Sequence, residues 1–493
     1  MVDLRRTHTR SRLRLLAMLL LASLSAVMLF LWRSQTTYRL GFPLDDAWIH
    51  QTYARNLATQ GKWAFLPNEV SAGSTAPLWT ILISLGYLLT LPNTAFSFAL
   101  GWLTLLATVC LVGGMLRTRH QANPTLLAGL LILMLFEWHL LWAALSGMET
   151  LLLGLHMLLV LYGHERGWDS VFLGALVGLG VWIRPDAILT VVILFWAQLV
   201  EPKPFKESAY RVLKYAAGFF ILTVPYALFN SQLGGEWWPS TFYAKQLEYA
   251  VNRDASLAGR VVKMGLAPLI GPAVLLIPGI FVSVMTHLRS RTWVRLAPLL
   301  WVVGFIFIYA LRLPVDYQHG RYMMPVIPAL FLLGYDGILI TVRGKAHNLI
   351  ERVFKRSWIP SLIIATAIFW IRGAEAYATD VAIIETEMVA TAKWIASNTK
   401  EDDLIAAHDI GALGYISERR ILDLAGLISP EVIPILRDER ALEAFLDANQ
   451  ADYLMTFPGW YPEMTEEREI VFSTIGSFSP AVGGENMTVY RWR

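Results

Sequence analysis

The sequence is poor in charge. Only 16% of its 493 residues are Asp, Glu, Lys or Arg, while 55% are hydrophobic. That balance is too apolar to clothe a soluble domain of this length, so a water-soluble enzyme is excluded. Neither sign dominates, since 41 basic against 38 acidic residues leave a net charge of +3. The basic residues fall in short runs between apolar segments, which is the pattern of membrane topology, and no nucleic-acid partner is expected. Cysteine is nearly absent: Cys110, the single one, lies inside an apolar run, which rules out an intrachain disulfide. Internal repeats and low-complexity tracts are missing. So is a nucleotide fingerprint, because Gly411-Ala-Leu-Gly414 lacks the third glycine and the following helix pattern.

Long apolar runs are what the chain has in place of these. The first, at 15–32, follows Arg5, Arg6, Arg10, Arg12 and Arg14 and ends in Leu31-Trp32-Arg33 with no small-residue cleavage pattern. It reads as an uncleaved span with a cytoplasmic N-terminus. Further apolar segments lie near 76–92, 97–116, 124–144, 150–163, 170–183, 187–201, 213–230, 264–287, 294–311, 322–342 and 358–372. The basic loops at 117–119, 166, 203–214, 289–295 and 343–356 share the N-terminal side only if one candidate fails to cross. Segment 76–92, with Pro77, Gly86 and Pro92, is the best choice for a helix that dips into the membrane. About eleven crossings follow, with the C-terminus outside.

After about residue 378 the pattern changes. Residues 381–398 and 430–449 read as helices, and 404–408, 421–424, 451–457 and 487–492 as strands. The expected organisation is a transmembrane domain over 1–378, with its first outer loop at 33–75, and an extracytoplasmic α/β domain over 379–493.

This topology collects the unusual polar residues on the outer face: Asp45-Asp46, Gly147-Met-Glu149, Arg184-Pro-Asp186, Trp238-Pro-Ser-Thr-Phe-Tyr-Ala-Lys-Gln246 and Asp316-Tyr-Gln-His-Gly-Arg-Tyr322. Ionisable groups at a membrane edge are costly and mark sites. Sugar transfer from a lipid phosphate carrier would use such a set. The acceptor hydroxyl needs a carboxylate base, and the leaving phosphate needs cations and N–H donors. Asp45 and Asp46 are the candidate bases, Asp45 being the one expected to point into the cavity and the other to cap the helix that reaches to about Gly61. Arg184, Lys245, His319 and Arg321 are the candidate cations. Arg184 before Pro185 also suits a helix-end anchor, and His319 a structural hydrogen bond. Glu149 could orient the acceptor, join an aspartate on a divalent cation, or serve the dipole of its own helix.

The motifs Asp45-Asp-Ala-Trp-Ile49, Tyr53-Ala-Arg-Asn-Leu57, Gly73-Ser-Thr-Ala-Pro-Leu-Trp79, Gly147-Met-Glu149, Arg184-Pro-Asp186, Pro239-Ser-Thr-Phe-Tyr-Ala-Lys245 and Arg321-Tyr-Met-Met-Pro325, in this order, resemble the GT-C superfamily of polytopic glycosyltransferases. The nearest likeness is to its bacterial arabinofuranosyltransferase and mannosyltransferase branch, and Asp409-Ile-Gly-Ala-Leu-Gly-Tyr415 resembles the C-terminal domain found there. The resemblance implies a polytopic α-helical fold, a polyprenyl-phosphate-linked sugar donor, a glycan or lipid acceptor at the outer face of the plasma membrane, and inverting transfer. Carried over by position, Asp45 and Asp46 fill the family's acidic motif and Glu149 is a second acidic site element, which makes these three the expected catalytic set; Arg184, Tyr243, Lys245, His319 and Arg321 of the outer face are the expected substrate-binding set. Trp48 and His50 depart from the expected pattern. A lipid or glycan flippase is the alternative reading, although its ionisable groups would more often lie near mid-span.

Overall fold

The computed structural model describes residues 2–66, 69–201, 203–344 and 348–493, with side chains from Leu13 onward except at Ile350. The arginines at 5, 6, 10 and 12 and the stretch 345–347 of the last basic loop therefore lie outside the described side chains. Among the described residues, seven helices are long and apolar enough to cross a membrane: Leu13–Thr37, Asn93–Arg119, Phe205–Gly234, Pro272–Arg289, Trp293–Arg312, Tyr317–Arg343 and Glu351–Asn398. An eighth forms if the pair Pro124–Leu135 and Trp138–Ala144, bent by 59°, counts as one span. The bend sits at Phe136-Glu137, where Glu137 accepts a hydrogen bond from Leu140 N–H (2.8 Å) and caps the second half. Four shorter apolar helices remain, Pro77–Leu88, Thr150–Glu165, Ser170–Ile183 and Pro185–Leu199. At 1.5 Å per residue, twelve to sixteen residues reach roughly 18–24 Å, short of a hydrocarbon core of about 30 Å. Eleven crossings need three of these four to span, with the twelve-residue Pro77–Leu88 as the exception.

The expected boundary at 378/379 falls inside the continuous helix Leu349–Ile384, which runs through a π-turn at Glu385–Val389 into Ala390–Asn398. Beyond it lies a mixed five-stranded sheet. Leu404–Ala407 lies between Arg420–Asp423, an edge strand, and Tyr453–Thr456, the middle strand, and is parallel to both; Thr488–Arg491 and Ile470–Ser473 extend the sheet beyond Tyr453–Thr456 in antiparallel fashion. Four strands match the sequence reading. The fifth, Ile470–Ser473, escaped it because this half-exposed edge strand carries no buried alternation. Residues 430–449 divide into a 3₁₀ turn at Pro430–Ile435 and the helix Glu439–Ala448, as two prolines in the first part would demand.

The helical and sheet parts share one core. The helix Asp46–Gln60 packs against the short helix Gly411–Ile416, where Trp48 meets Tyr415 at 5.0 Å between ring centroids and Arg55 lies 4.7 Å over the same ring. Arg55 also donates to the Tyr415 carbonyl (2.9 Å).

Candidate functional site

The two aspartates opening the Asp46–Gln60 helix part company. Neither caps that helix with its side chain. Asp45 turns toward the sheet domain and accepts hydrogen bonds on both oxygens, from Gly411 N–H (2.7 Å) and Ala412 N–H (2.8 Å). It thus caps a helix more than 360 residues away in sequence, supplying a carboxylate where backbone donors are exposed. Gly411 is required there, since a Cβ would come within 2.1 Å of the Asp45 carbonyl oxygen.

Asp46 faces the other way and is held between two cations, Arg321 Nη2 at 2.5 Å and Lys245 Nζ at 3.4 Å. Burial works to raise its carboxyl, but Lys245 and Arg321 outweigh that and hold it well below the usual carboxylate range. Lys245 comes from the helix Ser240–Glu248. Arg321 follows three consecutive left-handed residues, Gln318 (φ 51°), His319 (φ 60°) and Gly320 (φ 67°), a turn whose two non-glycine members are strained by about 1 kcal/mol or more each. His319 is tied down by Asp380 (2.8 Å), which also accepts from Trp142 Nε1. Arg321 stacks on Tyr317 and Tyr322 and donates to both hydroxyls, yet its Nη1 is buried without a partner.

The trio Asp46, Lys245 and Arg321 forms a wall shared by two cavities. One, of about 660 Å³, opens between the helical and sheet domains and includes Tyr317, His408, Asp409, Trp460 and Tyr461. The other, of about 390 Å³, is mostly apolar and includes Met148, Ile188, Phe242, Ile308 and Leu311 together with Glu149, Arg184 and Arg312. Arg184 pairs with Asp186 (3.0 Å), bonds to the Tyr309 hydroxyl and lies 3.6 Å from Glu149. Glu149 is buried and lies 3.5 Å from His50 Nε2. His50, whose Nδ1 meets the Thr80 hydroxyl at 3.0 Å, therefore reaches the same cluster from the helix that carries Asp46.

Of the residues singled out from sequence, Asp46, Lys245 and Arg321 come together, with Glu149 and Arg184 in the adjoining apolar cavity. Asp45 lines the larger cavity but spends its carboxylate on the sheet domain. Tyr243 and His319 line neither cavity; Tyr243 packs its ring on Phe242, and His319 buttresses the turn before Arg321. Sequence reasoning gave no site role to His50, Tyr317, Tyr322, His408 or Asp409. The last two had one usable signal: they stand at the carboxyl end of a predicted strand, where α/β sheets bind ligands. Among the described residues no group of three His, Cys, Asp or Glu is arranged to hold a metal ion.

A family model described as a domain of unknown function (DUF8728) matches residues 376–490. No curated protein matches the sequence. Among solved structures, ArnT from Cupriavidus metallidurans, bound to undecaprenyl phosphate, superposes with a TM-score of 0.61 at 14% identity, over 96% of this chain and 98% of that one. The oligosaccharyltransferase AglB from Archaeoglobus fulgidus, in complex with an inhibitory peptide and a dolichol phosphate, gives 0.59 at 13% identity, over 90% of this chain and 69% of that one. The helices, the sheet domain at their end and these superpositions agree on one architecture: the chain is a polytopic helical membrane protein with the GT-C fold shared by these glycosyltransferases.

Proposed function

We propose that the protein is a membrane glycosyltransferase that moves a sugar from a polyprenyl-phosphate donor to a hydroxyl of a glycan or lipid acceptor with inversion, and that Asp46 is the general base. The observation that carries this reading is the shared wall: one carboxylate and two cations separate an apolar cavity from a polar one. A donor lying with its chain along Ile188, Ile308 and Leu311 brings its phosphate to Lys245 and Arg321, whose unpartnered Nη1 is a free donor. The acceptor approaches Asp46 from the polar side. The neighbours named above, one bound to undecaprenyl phosphate and one to dolichol phosphate, support a lipid-phosphate donor.

The same geometry provides a means of activation. While the site is empty, both cations suppress the basicity of Asp46. A phosphate arriving at Lys245 and Arg321 takes over those contacts and adds its own negative charge, so the Asp46 pKa rises toward what a base requires. When the anomeric C–O bond to phosphate breaks, the two cations hold the departing anion, and the acceptor proton passes to Asp46. Glu149, set by His50 and Arg184, orients the donor from the opposite side of the wall. By the sequence topology this chemistry lies on the extracytoplasmic face.

A panel of labelled polyprenyl-phosphate sugars offered to purified protein tests the proposal through which label moves. Asp46→Asn should lower transfer by roughly 10²–10⁴-fold, with membrane insertion intact, and Lys245→Ala should raise the donor KM. Full transfer by Asp46→Asn would overturn the assignment of the base, and a panel from which no label moves would overturn the reaction.

A further inference from the structure

The sheet domain contributes more to the larger cavity than a cover. Its first strand, Leu404–Ala407, has parallel neighbours on both sides. The chain leaves it toward Arg420–Asp423, then crosses back to Tyr453–Thr456, so the topology reverses between Leu404–Ala407 and Tyr453–Thr456. In open α/β sheets a ligand crevice lies beyond the carboxyl ends of the strands at such a reversal. Here that crevice is an end of the cavity that holds Asp46. His408 and Asp409 follow the first strand, and Phe457, Trp460 and Tyr461 follow the second; all five line the cavity.

Their chemistry is selective. His408 Nδ1 meets the Tyr461 hydroxyl at 2.7 Å, and its Nε2 lies 3.5 Å from Glu248, so these three are occupied with each other. Glu439 is likewise engaged, accepting N–H bonds from Glu463 and Met464. Asp409 differs, because its Oδ2 is buried and has no hydrogen-bond partner. A buried carboxylate oxygen without a donor is costly, and a ligand hydroxyl would supply one. Trp460 lines the same cavity, its ring 4.9 Å from that of His408, the residue before Asp409, and it is 47% exposed. An aromatic face next to carboxylate acceptors suits a pyranose or furanose ring, with C–H groups on one face and hydroxyls around the rim. Of the charged residues that line the cavity beyond the wall trio, Asp45, Glu248, Asp409 and Glu439 are acidic and Arg437 is basic, a balance that disfavours an anionic ligand.

We infer that this crevice is an acceptor subsite for a neutral saccharide, in which Trp460 stacks on a sugar ring and Asp409 accepts hydrogen bonds from its hydroxyls. The inference rests on the transferase reading for its role but not for its binding chemistry. It assigns a ligand surface to a domain whose family has no described function, and it makes the acceptor of the reaction a glycan.

Binding can be measured apart from transfer. Full-length protein in lipid nanodiscs is titrated with maltotriose, mannotriose, galactotriose and arabinotriose, with saturation-transfer NMR as the readout and choline and glycerol phosphate as charged probes. At least one trisaccharide should bind. Trp460→Ala and Asp409→Ala should each weaken it about tenfold or more, and Trp237→Ala, an exposed tryptophan that lines neither cavity, should leave it unchanged. Asp409→Asn keeps the shape of the site if the alanine variant misfolds, and should weaken binding in the same direction. The inference fails if no trisaccharide binds, if binding is indifferent to both Trp460 and Asp409, or if only a charged probe binds. Saccharide binding that depends on Asp409, without any lipid-linked sugar transfer, would remove the transferase reading and leave the subsite. Transfer with saccharide binding indifferent to both residues would do the reverse.

Discussion

Asp409 shows how much one carboxyl group depends on its neighbours. An unfolded aspartate titrates near 4. In the fold, burial pushes Asp409 up to about 6, opposed by His408 and reinforced by Asp46 and Glu248. The folded state therefore holds this proton more tightly than the unfolded chain, and stability falls as pH rises from about 4 through about 6. Above that window the charged Asp409 is a standing cost. Asp409→Asn should accordingly raise the melting temperature at neutral pH, with the gain shrinking as pH falls through about 6 to 4 and vanishing by about pH 3, where wild-type Asp409 is protonated in both states. Thermal unfolding across that pH range checks this, and a melting temperature lowered at neutral pH would mean that the charge has a partner. Asp45, buried nearby, is pushed further, up to about 8, by burial and by the neighbouring Asp409, against the two backbone N–H groups that favour its charged form.

Among elements, the short helix Gly411–Ile416 is the joint between the two parts of the chain. Its first N–H groups bind Asp45, and its Tyr415 ring is flanked by Trp48 and Arg55 while its hydroxyl receives bonds from Tyr87 and Asn93. Gly411→Ala puts a methyl group against the Asp45 backbone. The two elements must separate, with the loss of a cap worth about 1–2 kcal/mol and of the cavity shape behind it. The expected outcome is earlier protease cleavage near the joint and a lower melting temperature; wild-type resistance to protease would argue against a tight joint. The sequence made part of this legible. Apolar runs, basic loops and four of the five strands could be read because they are local and periodic. The Asp45-Asp46 pair could be found but not divided between its two acids, since the donors that claim Asp45 lie more than 360 residues along the chain. The turn at Gln318–Gly320 was equally hidden, because left-handed φ values at Gln318 and His319 leave no mark in residue type.

At the scale of the whole molecule, the two cavities share one wall, and under the proposed function donor binding and base strength become a single equilibrium. If Asp46 and an incoming phosphate compete for Lys245 and Arg321, removing the carboxylate must improve phosphate binding even as it removes the chemistry. Asp46→Asn should therefore bind a polyprenyl phosphate about tenfold or more tightly than wild type while its transfer falls by the roughly 10²–10⁴-fold expected for loss of the base. The same variant leaves the buried Arg321 and the partly buried Lys245 without their carboxylate, a change that would cost about 3–5 kcal/mol in a fully buried pair and less at this partly exposed one, so its melting temperature should fall without ligand and recover on adding polyprenyl phosphate by more than the wild-type shift. Calorimetry in buffers of different ionisation enthalpy adds a third readout. Wild type should take up protons on binding as Asp46 loses its cations, and the variant should take up fewer. A variant that is inactive and also binds the phosphate more weakly would place Asp46 among the donor's ligands, and the wall would then no longer be a competition between base and phosphate.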